Sequence, residues 1–180
     1  MRDRDGRDQL SSPLQLERYR DRGEFWDAWD LAADYRSQPL GVLCTDSLEW
    51  LEQGPLVAHL VLRRQLGASC MRLDLRLNAY TASRELNCSI NCCQTHELLR
   101  LDLPLATPAV RIAADTSGGV IERPAEPMTV RERARWEVPV ISWFATQSPA
   151  PGGGMAVLLD GPQGVDWSSA VSYTHLTLPT

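Results

Sequence analysis

Three cysteines and a histidine, Cys88-x3-Cys92-Cys93-x2-His96, gather the soft ligands that a tetrahedral zinc site uses. Their spacing lacks the paired CxxC knuckles of such sites, and Cys88 and Cys92 share a strand face with Leu86 and Ile90. Small thiols there behave as core residues, so the motif reads as packing and no metal or cofactor is assigned to it. Asp27 and Asp30 could supply the acid and base of a hydrolase, which must flank one bond. They arrive as the doublets Trp26-Asp27 and Trp29-Asp30 within EFWDAWDLAADY at 24–35. A carboxylate beside an indole accepts its N–H while the ring fills a core. No His or second polar cluster accompanies the two aspartates, so they are expected to anchor Trp26 and Trp29 in a structural joint.

The remaining polar residues carry less. A GxSxG elbow is absent, so no serine nucleophile is readable. Gly152-Gly153-Gly154 lacks the GxGxxG spacing of a phosphate cradle and reads as a hairpin loop. Asn87-Cys88-Ser89 fits a glycosylation sequon but no secretory signal accompanies it. His59 and His96 fall at strand positions where a hydrogen-bonded structural imidazole is the ordinary expectation. Arg123, just before Pro124, is kept as a candidate substrate-proximal residue, its alternative being an exposed or capping arginine. No catalytic, cofactor-binding or metal-binding residue is assigned.

The elements that must position these residues are mostly strands. Period-two alternation is clearest at 70–78, where Met71, Leu73, Leu75 and Leu77 alternate with Arg72, Asp74, Arg76 and Asn78. Similar runs occupy 56–63, where Leu56, Ala58, Leu60 and Leu62 form the apolar set, and 86–92. Turn residues bound them at 53–55, 66–69 and 81–83. Further strands are predicted at 14–19, 99–103, 110–113, 120–122, 136–144 and 155–159, with a short helical turn near 27–35 that ends before Pro39. Short strands at this spacing predict an all-β, antiparallel β-sandwich.

Composition sets the outer bounds. The 180 residues are 43% hydrophobic, enough for one sizeable core. A net charge of −5 gives no footing for nucleic acid. All 18 basic residues are arginine, a skew that nothing in the sequence explains. The opening MRDRDGRDQLSSP alternates charge and has no apolar h-region, and no apolar run approaches a membrane span. Five cysteines, an odd number, fit a reducing compartment, so a cytoplasmic location is expected, with no membrane partner.

Several ordered motifs carry a family resemblance. Phe25-Trp26-Asp27-Ala28-Trp29-Asp30-Leu31, followed by Asp34-Tyr35, resembles the FYWDAWDV…DY stretch of α-mannosidases of glycoside hydrolase family 38, the cytosolic type especially. INCCQTHELLRLDLP at 90–104 resembles a strand pair of that family. Gly119-Val120-Ile121-Glu122-Arg123-Pro124 is similar to its Gly-x-Ile-x-Arg-Pro segment. Ala134-Arg135-Trp136-Glu137-Val138-Pro139, Trp143, GMAVLLD at 154–160 and Gly164-Val165-Asp166 resemble the stretch that closes the same domain. Cys92 stands where the family often has Trp, and Ser142 where Arg or Lys is usual. The likeness covers 14–167 and implies the galactose-mutarotase-like supersandwich of α-mannosidases, here truncated. It also implies an upstream α/β barrel holding one zinc through two His and two Asp, with one Asp as nucleophile of a retaining reaction on α-mannosides. None of that machinery lies in these 180 residues.

The expected organisation is therefore a charged lead-in at 1–13, a partial C-terminal sandwich domain at 14–167, and a tail at 168–180 that resembles a translated sequencing adapter and is expected to be non-native. Losing the natural strands after Trp167 is expected to expose a sheet edge and promote aggregation. The expected role is scaffolding for the barrel, with no zinc in this piece. A rival from another class is a free-standing lectin-like sandwich that stacks sugars on Trp26, Trp29, Trp136 or Trp143. A zinc-dependent regulatory module using Cys88, Cys92, Cys93 and His96 is a third.

Overall fold

The computed structural model describes residues 6–23, 31–135, 137–149, 154–167 and 171–177. The chain divides into two compact units, Met1–Glu17 with Leu98–Thr177, and Arg18–Glu97. The strands β1 (Gln15–Arg20) and β7 (Glu97–Pro104) each run from one unit into the other.

In the second unit, β1 is followed by a 3-10 helix (Tyr35–Ser37) and β2 (Pro39–Val42). Arg20 N donates to Gln38 O at 2.9 Å, beside β2. The main body of this unit is an antiparallel meander of β3 (Ser47–Gln53), β4 (Val57–Leu66), β5 (Ser69–Asn78) and β6 (Arg84–Asn91), in that order across the sheet. Leu66 pairs with Ser69 across a two-residue loop, where Gly67 takes φ 55°, a conformation tight hairpins assign to glycine.

The first unit continues from β7 through β8 (Arg111–Thr116), β9 (Gly119–Pro124), a helical turn α1 (Val130–Arg133), β10 (Val138–Val140), β11 (Trp143–Gln147), β12 (Ala156–Leu158), β13 (Gln163–Trp167) and β14 (Val171–Thr177). One sheet runs β10-β13-β14-β7-β1, the other β12-β11-β8-β9. Leu103, Val138, Val140 and Val165 from the first sheet cluster with Ala114 and Phe144 from the second. Phe144 and Val140 are completely buried, as the inward members of alternating strands. The fold is thus an all-β sandwich.

Alternation located most of these strands to within a few residues. It failed where the chain changes sheets: the single strand predicted at 136–144 is two strands in different sheets, β10 paired with β13 and β11 with β8 and β12. A break at Ile141-Ser142 separates them, pinned by Ile141 N donating to Asp115 O at 2.9 Å. The face expected to be core in β4 is also only partly so. Val61, on the polar set, is fully buried, whereas Leu56 is exposed and Leu60 and Leu62 are half-buried. Only the Met71 and Leu73 end of β5 is buried; Leu77 is exposed.

The helical turn predicted near 27–35 lies outside the described residues up to Asp30; beyond it the chain forms a turn at Ala33-Asp34 and the 3-10 helix. The segment 168–180, set aside on sequence grounds, contributes β14 between β13 and β7, with Tyr173 opposite both Asp166 and Asp102. Its run VSYTHLT is rich in β-branched and aromatic types that favour strand. The strand that ends at Trp167 is flanked on both sides, so no sheet edge opens there.

Candidate functional site

Each residue with chemical potential sits in a local structure that fixes what it can do. Arg123, on β9, turns its Nη2 to the carbonyls of Glu132 and Arg135, both at 3.3 Å. Its guanidinium carbon lies 5.5 Å from the ring centroid of Trp167. Burial, reinforced by the nearby Arg135 charge, lowers its pKa, and Glu132 opposes this. Arg123 therefore caps the end of α1 and stacks on a half-buried indole. At the other end of α1, Thr129 and Glu132 form a reciprocal capping box. The T-x-x-E sequence at 129–132 announces that turn, although alternation alone passes over it.

The cysteine cluster opens out rather than converging. Cys88, on the edge strand β6, is half-buried, as is Cys92 just beyond that strand, while Cys93 and Cys70, the latter on β5, are exposed. Burial pushes the Cys88 thiol up to about 11. The Cys92 thiol donates to Gln94 O at 3.8 Å, and Cys93 N donates to Ser69 Oγ at 2.7 Å. His96 takes φ 56° and its carbonyl accepts from Asp21 N at 2.9 Å. Among the described residues no three His, Cys, Asp or Glu side chains converge as metal ligands.

His59 meets Asp74 instead of a ligand. Its Nε2 lies 2.7 Å from Asp74 Oδ1, while Arg72 donates from Nε and Nη2 to the same carboxylate, each at 2.7 Å. The Arg72 hydrogen bonds, supported by His59, hold Asp74 down to about 2. The triad lies on the charged face of the meander.

Asp27, Asp30, Trp26, Trp29 and Trp136 lie outside the described residues, as do Gly152 and Gly153. The end of the 24–35 stretch is described: Tyr35 is buried, meets Tyr19 edge-on with centroids 5.4 Å apart, and Ala32 N donates to Asp21 Oδ1 at 2.9 Å. Trp143 is half-buried.

Two features were not anticipated. Arg64 is buried on the apolar side of the meander, where its Nη2 donates to Thr45 Oγ1 at 3.3 Å and burial lowers its pKa. In the first unit, Arg100, Asp102 and Asp166 are all buried. Arg100 Nη2 stands 3.5 Å from Asp166 Oδ2. Burial first, then the Glu17 charge and hydrogen bond, raise Asp102 to about 7, with Arg100 offsetting part of the effect. In LLRLDLP the alternation marks Arg100 and Asp102 as a solvent face; only the covering structure makes them interior.

These strands, sheets and capped turn belong to a recognisable domain class. Residues 1–178 match the family of the glycosyl hydrolases family 38 C-terminal domain, and the chain belongs to it. No curated protein matches the sequence. The family ties the chain to glycosyl hydrolases.

Proposed function

We propose that this chain is a non-catalytic scaffolding domain of an α-mannosidase. In this reading, retaining, zinc-dependent hydrolysis of terminal α-linked mannose belongs to a separate barrel, whose metal would orient the sugar hydroxyls. The sandwich packs against that barrel and helps wall the mannoside cleft. The observation that carries the reading is the apolar side of the second unit's meander. In register, Trp50, Leu60, Leu75 and Leu86 form one row across four strands. Trp50, Leu48, Leu77 and Leu86 remain 47%, 56%, 43% and 37% exposed. A contiguous face of that composition marks a protein contact.

The same row weighs against the lectin-like alternative. Trp50 is an exposed indole, but its lateral neighbours are leucines without the hydrogen-bonding groups a sugar hydroxyl needs. The free state of all five cysteines supports a cytoplasmic setting.

The test is reconstitution. Read in frame from the adjoining genomic DNA, an upstream barrel co-expressed with this domain is expected to hydrolyse an aryl α-mannoside when supplied with zinc, while the domain alone stays at blank. Hydrolysis by the 180-residue chain alone would refute the division of labour. An unchanged tryptophan spectrum up to high mannose is expected; a saturable shift would favour the lectin.

A further inference from the structure

In the first unit, β14 lies between two strands that other elements hold in place. β13 pairs β10 on its far side, with Val138 opposite Val165 and Val140 opposite Gln163. β7 has β1 as its other neighbour in the sheet. The end of β7 is pinned by Ser11 N donating to Pro104 O at 2.9 Å and by the bridge between Leu10 and Leu105. Val165 and Leu103 are also fixed in the core with Phe144 and Ala114 of the facing sheet. The walls on either side of β14 stand two strand spacings apart, about 9.5 Å.

Register states what this position asks of its occupant. Ser172 stands between Trp167 and Leu103, Thr174 between Val165 and Leu101, and Leu176 opposite Leu99. Leu103 and Val165 are buried, so these rows belong to the apolar core, yet the resident types at 172 and 174 carry hydroxyls. The intervening rows set Tyr173 between Asp166 and Asp102, and His175 between Gly164 and Arg100. Asp102 and Asp166 are buried, and Asp102 Oδ1 has no hydrogen-bond partner. A buried acceptor without a donor costs free energy that a donor placed at that row recovers.

We propose that the position between β13 and β7 is a strand-acceptor site for an extended peptide, and that residues 171–177 fill it as a replaceable insert. The peptide it takes has apolar residues at three alternate positions and hydrogen-bond donors at the two between. Such a peptide enters antiparallel to both walls and takes over the backbone ladder of β14. Main-chain hydrogen bonds supply affinity, and the alternation supplies selectivity. Valine level with Leu101 and Leu103 buries more apolar area than serine or threonine, which favours the incoming strand over the resident one.

The test uses the full chain and two peptides. The first is residues 171–177 carrying Ser172→Val and Thr174→Val; the second keeps Ser172 and Thr174 and carries Tyr173→Val and His175→Val. The first is expected to bind saturably and about tenfold tighter than the second, or better. At saturation the chain's own amides at 172–176 should exchange about tenfold faster, while those of Val165 and Leu101 keep their protection. Placing Ser172→Val and Thr174→Val in the chain itself should weaken the first peptide by about tenfold. No binding, equal affinity of the two peptides, unchanged exchange at 172–176, or undiminished binding to the valine variant would each overturn the site. In a mixture of labelled and unlabelled chains without peptide, intermolecular NOEs between residues 171–177 and β7 would make a second copy the occupant and overturn the peptide assignment. Should the valine variant fail to fold, the two-peptide comparison on the parent chain decides.

Discussion

Asp74 illustrates how a polar residue in this chain is committed to structure. Its carboxylate serves Arg72 and His59 at once, and Arg72 beside it holds the pKa at about 2. A folded-state value below the ordinary 3.8 means the stabilisation is present above about pH 4 and disappears as pH falls through 2. Asp74→Asn is therefore expected to lose about 0.5–1 kcal/mol at neutral pH, the modest figure reflecting solvent around Arg72. It should also flatten the acid limb of a denaturant-melt profile; an acid limb identical to the parent's would remove Asp74 from that account. The buried pair behaves differently. Arg100 and Asp166 are almost wholly enclosed, so Asp166→Ala removes one of the carboxylates that balance the guanidinium in a low-dielectric layer. A loss of about 3 kcal/mol in unfolding free energy is expected, against less than about 1 for a rim charge.

At the scale of elements, backbone geometry sets the costs. Gly154 takes φ 144°, and a Cβ there would overlap the carbonyl of Thr146 across the β11–β12 turn, where Thr146 N donates to Met155 O at 2.8 Å. Gly154→Ala combines strain with a backbone clash, and a loss of about 2–3 kcal/mol is expected by equilibrium unfolding. A loss under half a kilocalorie would mean the turn relaxes freely. The capping box of α1 gives a smaller test. Thr129→Ala should cost about 1 kcal/mol, and because Arg123 bonds the far end of the same turn, the cost should shrink in an Arg123→Met background. The T-x-x-E spelling carries the signal for this element, which the strand reading passed over. The β10–β11 break was not, because Pro139 and Ser142 do not distinguish a bent strand from a change of sheet.

For the whole molecule, the exposed face of the meander decides behaviour in solution. Leu48, Trp50, Leu77 and Leu86 present apolar surface on one side, while Glu49, His59, Arg72 and Asp74 occupy the other. The isolated chain is expected to self-associate through the apolar side, and light scattering should show particle size rising with concentration. Trp50→Glu with Leu86→Arg is expected to suppress that rise while shifting the melting temperature by only a few degrees. Equal aggregation of parent and variant would place the sticky surface elsewhere. The aggregation expected from an open edge after Trp167 thus moves to a sheet face, because β14 flanks β13.

By itself the sequence determined the local conformations: extended chain wherever Leu and Val alternate with Arg, Asp and Asn, turns at Gly67 and Ser117-Gly118, and family membership through the Trp-Asp doublets and the Ile121-Glu122-Arg123-Pro124 segment. Alternation states which residues share a face, since successive side chains on a strand point to opposite sides. It does not say what covers each face. Tertiary structure decided that Val61 is buried among polar neighbours while Leu56 and Leu77 are exposed. The same decision turned Arg100 and Asp102, apparently solvent residues of a half-buried strand, into the charged interior of a sheet. The physical reason is that burial is set by the second layer, which is built from residues distant in the chain.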